Sequence, residues 1–180
     1  PVVTAVAEMF PDGQRITKAI IEFDHDVEAE GPAVDKIAVK GRTVTDVNVE
    51  GRTVTLELSL DDEAAVVLPN IMGPPPGKND GPKDKKRPRI PARIRRPITL
   101  TVTIPGWADD IHSSKAVQPV VDDFIQGEYK GIPYNLFIPR DCEPGKKYPL
   151  VMFIPDASSN GTDHLLTLVQ GIGATCWATP

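Results

Sequence analysis

Arg52-Thr53-Val54-Thr55-Leu56-Glu57-Leu58-Ser59-Leu60 places an apolar side chain at every second position. Successive side chains of an extended strand point to opposite faces, so this alternation describes a strand with one face on a core and one in water. Val44-Thr45-Asp46-Val47-Asn48-Val49 repeats the pattern more loosely just upstream. The two runs are joined through Glu50-Gly51, a two-residue connection whose glycine tolerates positive φ, and together they predict a β-hairpin.

Working outward, Val2–Met9 and Arg15–Phe23 flank Pro11-Asp12-Gly13, where proline sets φ and glycine accepts the left-handed region. They predict a second strand pair. Ile98, Leu100, Val102 and Ile104 give a further alternating run. Short strands separated by turn signals, with almost no helical periodicity before residue 110, predict a β-sandwich over residues 1–106. Residues 107–121 are irregular and read as a linker.

The texture then changes. Tyr148-Pro149-Leu150-Val151-Met152-Phe153-Ile154-Pro155 is a nearly continuous apolar run, which suits a central strand covered on both faces, as in α/β sheets. A polar turn, Asp156-Ala157-Ser158-Ser159-Asn160-Gly161, leads into Thr162–Gly171, where Thr162 or Asp163 can cap a short helix and Gly171 marks its end. His164 is expected on the exposed face of that helix, with Leu165, Leu166 and Leu168 buried.

The chain has 180 residues, 40% of them hydrophobic, enough for a packed core. Its formal charge is −5, unevenly spread: residues 73–97 hold nine Lys/Arg against two Asp, a local +7, so the remainder carries −12. Gly73-Pro74-Pro75-Pro76-Gly77 followed by Lys83–Arg89 and Arg93–Arg96 reads as a solvated, Pro-rich basic loop between strands. No aromatics interleave with these charges, and the acidic remainder opposes a nucleic-acid role. No run of eighteen apolar residues exists to span a membrane, and the start lacks the layout of a signal peptide. A first residue other than Met reads as a processed or trimmed start.

Other residue sets invite chemistry without supporting it. Cys142 and Cys176 match no metal or redox spacing; two independent buried thiols are favoured over a disulfide. On a strand only the two aspartates of Asp24-His25-Asp26 share a face, so this is read as a solvated strand end and not a metal site. Asp61-Asp62-Glu63 and Asp109-Asp110 lack the spacing of a calcium loop, and Ser113-Ser114 beside His112 is a loop and not a dyad. No metal or cofactor is expected.

Tyr134-Asn135-Leu136-Phe137-Ile138-Pro139-Arg140-Asp141, Gly145 to Ala157, and Gln170 to Pro180 with its Gly-x-Gly-Ala and Trp-Ala-x-Pro pieces resemble the start of the hydrolase domain in bacterial esterases of the polyhydroxybutyrate-depolymerase and feruloyl-esterase-like group. The front resembles the immunoglobulin-like domain that precedes the hydrolase in one branch of these enzymes, through its first strand, the Phe10-Pro11-Asp12-Gly13-Gln14 turn and Ile20-Ile21-Glu22-Phe23-Asp24. The resemblance implies a mainly β chain: an immunoglobulin-like β-sandwich at 1–106, a linker, and from residue 122 to 180 the first strands and helix of an α/β-hydrolase. It also implies export from a bacterium and a Ser-His-Asp esterase.

Such an esterase needs a nucleophile elbow, usually Gly-x-Ser-x-Gly, and this stretch contains none. The resemblance places the nucleophile, acid and base beyond Pro180, so no catalytic residue is expected here. One backbone donor for the oxyanion is implied after the strand 149–155, from Asp156, Ala157 or Ser158, with Ala157 preferred. Where the family commonly has His before this turn, Pro155 stands instead. The expected partners are the remainder of the hydrolase domain or another protomer, and an ester substrate in the complete enzyme. The alternative function is a non-catalytic immunoglobulin-like binding or assembly module.

Overall fold

The computed structural model describes residues 1–28, 34–69, 93–155, 159 and 163–178. Three sheets organise them. The largest is five-stranded, in the order β4-β5-β2-β1-β8, built from β1 (Val2–Phe10), β2 (Gly13–Glu22), β4 (Val44–Glu50), β5 (Thr53–Leu58) and β8 (Lys115–Val117). Its neighbours are antiparallel except β8, which runs parallel to β1. A three-stranded sheet contains β3 (Ala38–Val39), β6 (Thr101–Thr103) and β7 (Ile111–His112), in the order β3-β6-β7.

One hydrophobic core joins these two sheets. Val3, Ala5, Ala7, Ile16, Ala19 and Ile21 from β1 and β2 meet Val54, Leu56 and Leu58 from β5, with Val39 and Val102 from the smaller sheet. The alternation of β5 appears in full: Val54, Leu56 and Leu58 are buried, while Thr53, Thr55 and Glu57 are half-exposed on the other face. Leu100, Val102 and Ile104 also point inward as expected, although only Thr101–Thr103 joins a ladder.

The β4–β5 turn lies one residue beyond the expected position. Glu50 pairs with Thr53, leaving Gly51-Arg52 as the two-residue loop, with Gly51 at φ 58°. The segment expected to be a linker contributes both β7 and β8. Each is only two or three residues long, too short for a periodicity to register in the sequence.

The described residues also hold the hairpin of β9 (Ile125–Tyr129) and β10 (Ile132–Leu136), the α-helical turn α1 (Leu166–Val169) and several 3-10 turns. Lys130 and Gly131 both have positive φ, 51° and 79°, as a two-residue turn matched to strand twist requires. Tyr134 stands opposite Gly127, and its ring covers the glycine so closely that a Cβ there would lie 2.4 Å from it.

Two expectations in this half are corrected. Residues 149–155 form no strand: no ladder among the described residues pairs their backbone, and a strand exists only through its neighbours' hydrogen bonds. Most of their side chains are exposed instead, Leu150 at 80% and Ile154 at 79%. The expected helix shrinks to one turn ending two residues before Gly171. Asp163 accepts the Leu165 N–H at 3.0 Å just before the turn, but Leu165 itself holds the N-cap position and no side chain caps it; Leu166 and Leu168 are buried, and His164 is half-buried.

Candidate functional site

A cavity of about 720 Å³ opens between β10, the 149–155 segment, α1 and the 174–178 segment. Its wall is largely apolar, from Leu150, Phe153, Leu168 and Trp177 among others. Ser159, Asp163, His164, Thr167 and Asn135 supply the polar groups. The preferred oxyanion donor Ala157, with Asp156 and Ser158, lies outside the described residues.

Serine, histidine and aspartate line one cavity, yet their hydrogen bonds do not form a relay. Ser159 donates to Oε1 of Gln170. Asp163 is taken by Arg95, through Nε to Oδ2 at 2.5 Å and Nη2 to Oδ1 at 3.1 Å, and by the Leu165 amide. Burial would raise the Asp163 pKa, but the Arg95 guanidinium, the Leu165 N–H and the charge of His164 together hold it below the usual carboxylate range. His164 enters the network through its carbonyl, which accepts from Asn135 Nδ2 at 2.7 Å; the same amide donates to Thr167 Oγ1 at 3.0 Å. No hydrogen bond links Ser159 to His164 among the described residues.

The other residue sets are structural. Ser113 Oγ accepts from the Leu100 amide and His112 Nδ1 pairs with Thr101 Oγ1, which ties β7 to β6. His25 and Asp24 pair at 2.6 Å on an exposed strand end. Asp110 accepts from Thr103 Oγ1, and Asp62 holds the Thr43 amide and hydroxyl and the Arg42 side chain. No group of three or more metal-ligating side chains occurs among the described residues. Cys176 is exposed and Cys142 half-buried, so the expected burial of both is corrected.

The described part of the basic loop is engaged internally. Arg93 donates to Leu68 O, Arg95 to Asp163 and Arg96 to Glu63. Lys83–Arg89 lie outside the described residues. The contact that sequence reasoning missed is the junction these arginines begin. Leu68, Val121, Leu166, Leu168 and Val169 form a second core, with Met9 and Phe124 packed on it, so α1 rests on the end of the sandwich. Leu168 and Val169 were legible as apolar, but which surface would receive them was not.

Residues 2–104 match the family described as "Esterase Ig-like N-terminal domain". The chain is also similar to a solved crystal structure of a thermostable esterase, with a TM-score of 0.76 and 25% identity. The similarity covers 99% of this chain and 53% of that esterase, so the chain spans about half its length. No curated protein matches the chain.

Proposed function

The chain belongs to the family of esterase immunoglobulin-like N-terminal domains, and from that premise we propose that residues 1–180 are the N-terminal portion of a serine carboxylic-ester hydrolase. In this reading the sandwich is followed by the opening of an α/β-hydrolase, and the stretch does not hydrolyse esters by itself. The observation that carries it is the likeness of both halves, in order, to about half of one esterase. The absence of a Gly-x-Ser-x-Gly elbow from the sequence and of a Ser159–His164 bond supports the second part. The backbone amides of Asp156, Ala157 and Ser158 are the candidates for one oxyanion donor, and the resemblance to exported esterases makes secretion part of the proposal.

Turnover of a chromogenic short-chain ester by residues 1–180 tests the reading. Hydrolysis should equal the buffer blank at every protein concentration. A saturable rate that scales with protein would overturn the claim of inactivity.

The alternative, a binding module working through the basic loop, draws little support from Arg93, Arg95 and Arg96, whose charges are spent on internal contacts.

A further inference from the structure

The first helical turn after the cavity is held by the sandwich at both ends. At its start, Arg95 grips Asp163 with two parallel hydrogen bonds across 68 positions of sequence. The two side chains are 21% and 34% exposed, so water screens them only in part. Asp163 also accepts the Leu165 amide through its side chain, and its carbonyl accepts the Leu166 N–H. At the other end, the Pro11-Asp12-Gly13 turn presses on 169–171. A Cβ on Gly171 would lie 2.9 Å from Pro11 O, and one on Gly13, at φ 126°, 3.3 Å from Val169 O. Backbone approaches backbone there, with no room for a side chain on Gly171 and a tight fit for one on Gly13.

We propose that Arg95 is a positioning residue, through which the immunoglobulin-like domain, and not the hydrolase sheet, fixes where this helical turn begins and how it is aimed. The assignment of α1 to a hydrolase portion rests on the function proposed above; the positioning itself rests on the contacts. A bidentate guanidinium–carboxylate pair has a fixed geometry that a lone surface ion pair lacks. With the 11–13 turn as the second point of contact, the turn has little freedom to rotate on the sandwich. The charged groups facing Asp163 are Arg95 and the neighbouring His164.

Residue-resolved hydrogen exchange on residues 1–180 tests this. Arg95→Met keeps the apolar stem and removes the fork. The Leu166, Leu168 and Val169 amides should then exchange about tenfold faster, the shift expected for losing a charge-assisted hydrogen bond, while ladder amides in β5 keep their rates. Arg95→Lys should retain part of the protection, and Asp163→Asn, which keeps the shape, should resemble Arg95→Met and carries the test should that variant not fold.

Acid supplies a second readout. Asp163 has a depressed folded-state pKa, so its contribution is present above the ordinary value of about 3.9 and is lost as pH falls through the folded value. After correction for intrinsic rates, loss of protection should begin at higher pH in Arg95→Met than in the parent. Unchanged rates at α1, equal acceleration at β5, or identical acid profiles would each overturn the proposal. None of these measurements involves ester turnover, so their failure would leave the esterase reading standing.

Discussion

Replacing Arg42 with alanine is expected to destabilise the sandwich by about 3 kcal/mol, the cost of breaking a buried ion pair by removing one partner. The Arg42 side chain is only 2% exposed. Its guanidinium donates to Ile16 O and Ser59 O at 2.9 Å each and to Asp62 at 3.1 Å, tying β2 to both ends of the β4–β5 hairpin. Alanine leaves both carbonyls and one face of the carboxylate without their donor. For a domain of this size the melting temperature should fall by more than about 10 °C.

Asp62 adds a pH signature. Hydrogen bonds from Thr43, opposed by burial and reinforced by Arg42, hold its pKa below the usual range. Its contribution is therefore full above the ordinary carboxylate pKa and disappears as pH falls through the folded-state value. The gap between parent and Arg42→Ala melting temperatures should narrow in acid. A variant that melts with the parent at neutral pH would show that this buried cation is not a keystone of the sandwich.

The second large effect concerns the exposed apolar side chains of residues 149–155. Leu150, Met152 and Ile154 are 80%, 74% and 79% exposed, and Ile125, Tyr129 and Ile132 on the adjoining hairpin are also exposed. Contiguous apolar surface of this kind drives association and binds hydrophobic dyes. Residues 1–180 should sediment as a concentration-dependent mixture and enhance the fluorescence of anilinonaphthalene sulfonate. Leu150→Glu, Met152→Glu and Ile154→Glu combined should abolish most of both effects. The sandwich should melt unchanged, since none of the three belongs to its core. A monomer at all concentrations that binds no dye would contradict the exposed face.

The contrast between β5 and 149–155 marks what a sequence can state. Thr53–Leu58 shows its inward and outward faces by alternation, and one of its partners, β4, lies next to it in sequence. The 149–155 run shows only that it is apolar; whether it becomes a strand depends on neighbours that its own residues do not specify. The same holds for β7 and β8, which pair through tertiary proximity to β6 and β1 with hardly any local pattern. Of the candidate site, the short helix with buried Leu166 and Leu168 was legible, while the strand expected before it did not form. That Asp163 would be claimed by Arg95, 68 residues away, was not legible, because a guanidinium–carboxylate pair leaves no periodic trace.

We propose that this stretch carries the lineage of an esterase without its chemistry. Its most direct test is treatment of residues 1–180 with a serine-directed fluorophosphonate, under conditions that label a serine esterase to completion, followed by intact-mass measurement. An unchanged mass is the predicted result. A stoichiometric adduct on Ser159 or any other serine of the chain would contradict it.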